Sequence, residues 1–336
     1  MYEKTKALIE AKRQASVFPG VVVCFLEGTT QETCVLGQKA LEPSVETMTR
    51  DDLFDVASLT KVVCTTTVVL KLWEQGELVI DAPLQRYLPA FENPQITLRH
   101  LLTHTSDIQT WIENRDQLNA AQLRAAYLTL APGEQLGEDV KYTDAGTILL
   151  GFMLEEIYGK SAVEIFTAEV LTPLNMTAST FFPKALPQVV PTEKQKDGSV
   201  LRGVTHDPKA RVLAEHAGNA GLFTNLDDLT TFVKMYLNFG RSGEQSFLKE
   251  TTIAALFGDQ TPTKTGQRSL GWDLKYSLDH RPLLFHTGYT GTFLVIDVTK
   301  QSALIFLSNR VHPHDYRESY LRHRDEILAT YLQEKG

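Results

Sequence analysis

Ser58 and Lys61 stand at spacing i, i+3 in Asp55-Val56-Ala57-Ser58-Leu59-Thr60-Lys61, at the head of an apolar run through Val62, Val63, Val68, Val69, Leu70, Leu72 and Trp73. The run predicts a helix, on which the hydroxyl and the amine project from one face. A serine hydroxyl is a poor nucleophile until a neighbouring base takes its proton. Lysine can be that base when burial or a second cation lowers its pKa. Near a helix start the backbone N–H of Ser58 also lacks an intrahelical partner and can meet a developing negative charge. The chemistry implied is attack on a carbonyl through a covalent serine adduct, which needs no metal or organic cofactor.

That spacing is cheap, and it recurs at Ser246-Phe247-Leu248-Lys249, where Gly240 and Gly243 precede it and the pattern reads as a loop entering a helix. Two other stretches add weight to Ser58. Tyr142-Thr143-Asp144 lies on a turn before an apolar helix, and His286-Thr287-Gly288, followed by Tyr289-Thr290-Gly291-Thr292, opens a β-rich end of the chain.

Other candidates read as structure. His100 and His104 have a zinc-like spacing but lack an adjacent glutamate and a third ligand, so packing or capping is expected. His312-Pro313-His314 reads as a surface turn, while His206-Asp207 and His216 sit in a long loop region that could reach a cleft. Lys264-Thr265-Gly266 has no β-rich run after it and reads as a surface loop. Tyr236-Leu237-Asn238 closes an amphipathic helix, so Tyr236 is expected to pack.

The elements that must position these residues follow from periodicity and punctuation. Residues 4–15 predict a helix, and Gly20 to Leu26 with Thr33 to Leu36 a hairpin. Helical patterns follow at 97–106, 119–130, 147–158, 162–170 and 227–237, with long Pro-, Lys-, Asp- and Gly-rich loops over 183–218. Two β-rich runs, 293–298 and 303–309, precede a charged helix over 315–333. The economical arrangement is an α/β fold: one antiparallel sheet from both chain ends, flanked by helices, with a mainly helical insertion beside it. Residues 1–80 and 265–336 would form the sheet domain and residues 81–264 the helical one, with the site in the cleft between them.

A chain of 336 residues, 43% hydrophobic and 22% charged, can bury a large core. A net charge of -8 leaves no basic footprint for nucleic acid or anionic lipid. No run reaches membrane-spanning length and Met1 to Arg13 lacks an apolar leader, so a cytoplasmic location is expected. Cys24, Cys34 and Cys64 are too few and too scattered for a disulfide framework. Cys24 and Cys34 could face each other across a hairpin, but free thiols are the expectation.

Taken in order, S-x-x-K at Ser58, Y-x-D at Tyr142 and H-T-G at His286 resemble the three motifs of the serine β-lactamase and penicillin-binding-protein superfamily. The resemblance is to the branch of class C β-lactamases, D-Ala-D-Ala carboxypeptidases and related esterases. Leu101-Leu102-Thr103-His104-Thr105-Ser106 and Ala217-Gly218-Asn219-Ala220-Gly221-Leu222-Phe223 extend it. The resemblance implies a β-lactamase/transpeptidase-like fold with Ser58 as acylated nucleophile, Lys61 assisting proton removal and Tyr142 relaying protons. It further implies Asp144 holding Lys61 or the substrate, His286 and Thr287 lining the pocket, and Ser58 and Tyr289 N–H groups as the oxyanion hole. Asp144 replaces the usual Asn, which favours the ammonium form of Lys61 and shifts weight to Tyr142 as proton acceptor. His286 replaces the usual Lys, which removes a permanent cation and favours small esters over β-lactams. The expected activity is therefore a carboxylesterase acting on small esters or amides, with a D-Ala-D-Ala carboxypeptidase or weak β-lactamase as the alternative. A non-turning-over sensor of β-lactam or peptidoglycan-like ligands is the alternative of another class. The oligomeric state is not legible.

Overall fold

A computed structural model describes residues 1–336. Seven antiparallel strands form the main sheet, in spatial order Glu46–Thr47, Thr30–Ala40, Gly20–Glu27, Ser302–Ser308, Thr292–Asp297, Pro282–Gly288 and Asp273–Tyr276. Both chain ends meet at its centre, where Gly20–Glu27 pairs with Ser302–Ser308, Val21 opposite Ser308 and Glu27 opposite Ser302.

The central strands read as unbroken apolar runs because both faces are covered. Val22, Cys24, Leu26, Leu294, Ile296 and Ile305 point into a large core shared with the helical middle of the chain. Val21, Val23, Phe25, Phe293, Val295 and Phe306 point to the other face, under the helices Glu3–Gln14 and Arg317–Lys335. This alternation separates the two hairpin thiols. Cys24 stands opposite Thr33 and Cys34 opposite Val23, so their side chains lie on opposite faces, and all three cysteines are free.

The helical middle is built around Ala145–Tyr158, whose first ten residues are all buried. A helix apolar on every side belongs inside a bundle. The amphipathic helix Leu226–Leu237, capped by the Asn225 side chain on the Asp228 N–H, lies instead against the sheet. No helix is long and apolar enough to cross a membrane.

Two expectations need correction. The turn at His312 is not a surface feature: His312 is buried, its Nδ1–H donates to Thr192 O (2.8 Å) and its Nε2 accepts from the Leu41 N–H (2.8 Å). His286-Thr287-Gly288 does not open the C-terminal strands but ends one. Pro282–Gly288 and its partner Asp273–Tyr276 are strands hidden from sequence by Pro282, Arg281 and the polar turn between them.

Candidate active site

The turn carrying Ser58 is held on both sides before any helix begins. Asp55 is buried and accepts the Ala57 N–H on Oδ1 (2.8 Å) and the His206 N–H on Oδ2 (2.7 Å). Thr290 Oγ1 donates to Asp55 O (2.6 Å), Thr292 Oγ1 to Val56 O (3.3 Å), and Ala57 sits at φ 46°. The N–H groups of Leu59, Thr60 and Lys61 then donate to Val56, Ala57 and Ser58 carbonyls at 3.0, 3.0 and 3.1 Å. This i→i+3 ladder is tighter than the α-helix expected from sequence, and it eclipses side chains three apart. A π-helical stretch Lys61–Thr66 follows before the α-helix Thr67–Glu74.

Lys61 Nζ consequently donates to Ser58 Oγ at 2.7 Å. The ammonium also donates to Asn219 O (3.0 Å) and pairs with Asp144 Oδ1 (2.7 Å). Burial by itself would lower the Lys61 pKa, but Asp144 and Tyr142 outweigh it and leave the lysine above its ordinary value. Burial likewise pushes Asp144 up, and the Lys61 and Lys209 ammoniums more than reverse it, holding the carboxyl well below its usual range.

Tyr142 approaches from a loop laid over the segment Thr103–Asp107. The Lys141 N–H donates to His104 O (2.8 Å), the Gly137 N–H to Thr105 O (2.7 Å), and the Thr143 N–H to His104 Nδ1 (3.4 Å). The His104 ring packs against Tyr142 at a tilt of 32° with centroids 4.5 Å apart, and Lys61 Nζ lies 5.4 Å from the Tyr142 centroid. His104 is thus a packed scaffold for the phenol, and His100 caps its own helix through Thr97.

The remaining wall is the end of the strand Pro282–Gly288. His286 is buried, with its Nδ1–H donating to Thr287 O (3.0 Å) and Nε2 left without a partner. Burial, then Lys61 and Arg268, hold it neutral, well below the ordinary imidazole value. Thr287, Gly288 and Tyr289 continue this wall. A cleft of about 310 Å³ brings Ser58, Tyr142, His286, Thr287, Gly288 and Tyr289 together. Neither the Ser58 nor the Tyr289 N–H donates to another group of the chain.

Arg268, which sequence reasoning passed over, also lines this cleft. Its Nη1 pairs with Asp273 while Nε and Nη2 are buried without partners, and Cζ lies 5.8 Å from the Tyr142 centroid. Arg310, Arg317 and Arg324 extend the same wall. Arg268 thus brings a guanidinium to the cleft that His286 lines, from a different segment.

The decoys fall away. Ser246 is exposed on a two-residue strand and Lys264-Thr265 forms an exposed turn, while Tyr236 is fully buried against Trp272 at 5.5 Å. His216 Nδ1 lies 2.7 Å from Glu155 Oε1, away from the cleft. His206 does reach the cleft wall, stacked on Tyr289 at 5.5 Å.

The family model described as Beta-lactamase matches residues 5–329. The chain belongs to the Beta-lactamase family. Among curated relatives of this family member, an Escherichia coli (strain K12) protein named "Putative D-alanyl-D-alanine carboxypeptidase" is 27% identical, over 82% of this chain and 73% of its own. A Bacillus subtilis (strain 168) N-acetylmuramyl-L-alanine amidase is 26% identical, over 89% of this chain and 78% of its own. The fold is that of the β-lactamase/D-alanine carboxypeptidase from Pseudomonas syringae, with TM-score 0.77, 16% identity and 97% of each chain covered. It also matches EstCE1, a hydrolase with promiscuous acyltransferase activity, with TM-score 0.76, 18% identity and 97% of each chain covered.

Within this β-lactamase-family chain, Arg268, Lys209, Asp207 and Asn219 are the site neighbours not anticipated as such. Lys209 Nζ pairs with Asp144 Oδ2 (2.7 Å). Asp207 had been noted only as lying in a loop that could reach a cleft, and Asn219 only within Ala217–Phe223, as part of the family resemblance. The role of that segment is physical: Thr65 Oγ1 donates to Gly218 O (2.6 Å), the Leu222 N–H to Thr60 Oγ1 (3.1 Å) and the Val56 N–H to Leu222 O (3.0 Å). These bonds set Asn219 O in front of Lys61.

Proposed function

We propose that this Beta-lactamase-family hydrolase works through a Ser58 acyl-enzyme. The observation that carries the reading is the 2.7 Å contact of Lys61 Nζ with Ser58 Oγ in a cleft where the Ser58 and Tyr289 N–H groups are free. Ser58 Oγ attacks a carbonyl carbon, and the carbonyl oxygen takes up negative charge facing those two N–H groups. Lys61 is an ammonium in this setting, so it orients Ser58 Oγ and stabilises a neighbouring anion. We propose that the phenolate form of Tyr142 receives the serine proton, becoming the phenol, and returns it to the leaving oxygen or nitrogen. A water then attacks the ester of Ser58, with the same groups acting in reverse, and releases the acid.

The substrates proposed are small esters or amides. EstCE1 and the carboxypeptidase and amidase relatives support both bond types without choosing between them. One observation favours substrates with an anionic group near the scissile bond: Arg268 lines the cleft beside Tyr142, with Arg310, Arg317 and Arg324 on the same wall. An Arg fork suits a carboxylate. This second reading, a peptidase-like or β-lactam-like substrate, rests on Arg268 rather than on His286.

The test is to incubate the protein with p-nitrophenyl acetate and butyrate, a chromogenic cephalosporin and a peptide ending in D-Ala-D-Ala, and to follow turnover and intact mass. Ester turnover that disappears in Ser58→Ala supports the esterase reading. Release of D-Ala or cephalosporin turnover moves the substrate to the second reading. A Ser58-dependent adduct without turnover marks a ligand sensor. Turnover retained by Ser58→Ala overturns the mechanism.

A further inference from the structure

Asp144 is held from two sides. Oδ1 meets Lys61 Nζ and Oδ2 meets Lys209 Nζ, each at 2.7 Å. Lys209 Nζ continues to Asp207 Oδ2 (3.2 Å), Asn219 Nδ2 donates to Asp207 Oδ1 (3.1 Å), and Asn219 O accepts from Lys61 Nζ (3.0 Å). Five residues thus close a ring, Lys61, Asp144, Lys209, Asp207 and Asn219, with two ammoniums and two carboxylates. The Lys209 side chain is only 19% exposed, so its charge is weakly screened by water.

We propose that Lys209 is a positioning residue for catalysis, which sets the protonation of the Ser58–Lys61–Tyr142 group by sharing the charge of Asp144. The proposal rests on the acyl-enzyme reading above. A carboxylate facing Lys61 alone would place its whole charge on that ammonium and on the phenol beside it. With Lys209 on its other oxygen, the same carboxylate orients Lys61 at lower electrostatic cost to proton removal from Ser58.

The sign of the effect follows from the groups around Lys61. Asp144 and Tyr142 face it from the loop and helix start at 142–145, Arg268 and His286 from the sheet side, His104 from the segment below Tyr142, and Lys209 with Asp207 from the turn of the helix Pro208–Leu213. Both histidines are held neutral by burial. Removing the Lys209 charge leaves two carboxylates against Lys61 and Arg268. The local potential becomes more negative, so the proton acceptor for Ser58 reaches its unprotonated form only at higher pH. Removing the Asp207 charge acts in the opposite sense.

The experiment is the pH dependence of kcat/KM for p-nitrophenyl acetate in the full chain, for wild type, Lys209→Met, Lys209→Arg and Asp207→Asn. Lys209→Met is expected to move the acid limb up by roughly one pH unit, with about tenfold lower activity below the limb and recovery above it. Lys209→Arg restores the wild-type limb, and Asp207→Asn, which keeps an acceptor for Asn219 and the Ala210 N–H, moves it down. A uniform loss at every pH without displacement of the limb, or limbs displaced in the same direction by Lys209→Met and Asp207→Asn, overturns the proposal. Should Lys209→Met fail to fold, the Asp207→Asn limb decides alone. Absence of Ser58-dependent turnover in wild type is a failure of the acyl-enzyme reading, and is read before any variant.

Discussion

The Lys61 ammonium and the Asp144 carboxylate meet at 2.7 Å with the lysine side chain only 1% exposed. A buried charge is stable only when paired and hydrogen-bonded, and Lys61 has Asp144, Ser58 Oγ and Asn219 O. The aspartate in the second motif is therefore structural and electrostatic at once. It keeps the lysine charged and pointed at Ser58 Oγ.

Asp144→Asn separates these roles. The amide keeps an acceptor but not the charge, so the Lys61 pKa falls, and the same loss of negative potential moves the acid limb of kcat/KM to lower pH. Stability at pH 7 should drop by about 3–5 kcal/mol, since one partner of a buried pair is neutralised. The linkage has a definite sign: a depressed Asp144 contributes stability present above the ordinary aspartate pKa, near 3.9, and lost as pH falls through its folded value. Urea unfolding at pH 7 and pH 3 checks this, because the variant must lose the part of the acid sensitivity due to residue 144.

Arg268 should govern charge preference. Arg268→Met removes the guanidinium from the cleft while filling its space, and is expected to raise KM at least tenfold for an ester whose acyl or leaving group bears a carboxylate, against less than about threefold for p-nitrophenyl acetate. The ratio of the two is the readout, since contact with the Tyr142 ring can alter both rates together. An unchanged ratio would remove the anionic-substrate reading.

Much of the site was legible because its chemistry is local. Ser58 and Lys61 are three apart, and each of the other motifs is a tripeptide whose turn or strand end presents it whole. The sheet was legible where Val22 to Leu26 and Phe293 to Ile296 form apolar runs. Arg268, Lys209 and Asn219 were not, because Arg268 and Asn219 lie in irregular stretches and Lys209 in the first turn of a short helix, and each meets the site only through a residue far along the chain. Asp55 was quoted inside the first motif, yet its task of bonding the Ala57 and His206 N–H groups depends on a loop more than a hundred residues away. The strand Pro282–Gly288 was hidden for another reason. Its alternation is broken by proline at one end and by His286, a buried polar residue on a core-facing position, at the other.

The buried neutral histidines predict acid lability. Burial lowers His104 and His286 well below the ordinary imidazole value, so between those folded values and about pH 6.5 the unfolded chain binds more protons than the native one. Stability is then full above about pH 6.5 and falls below it by up to about 1.4 kcal/mol per pH unit for each histidine. His100 and His312, lowered by burial to a smaller degree, add to the slope. Urea midpoints of wild type, His104→Gln and His286→Gln between pH 7.5 and 5.5 should show a shallower decline in each variant.

Gly288 offers the most local test of how the sheet sets Ser58. A Cβ at this position would lie 2.3 Å from Val56 O and 2.2 Å from Thr292 Oγ1, both part of the contact between the strand end and the turn that carries Ser58. Neither atom can yield cheaply: Val56 O is backbone, and Thr292 Oγ1 already donates to it. Gly288→Ala must push the strand end and the Ser58 turn apart, at a cost of about 1–3 kcal/mol from overpacking. The two N–H groups proposed to receive the carbonyl oxygen belong to Ser58 and Tyr289, one on each side of this contact. A shift of about 1 Å between them should lower kcat by roughly a hundredfold. The activity loss should therefore exceed what the fraction unfolded accounts for, as measured by ester turnover on protein shown by urea unfolding to remain mostly native. A variant that loses stability but keeps kcat would show that the oxyanion is bound without Tyr289.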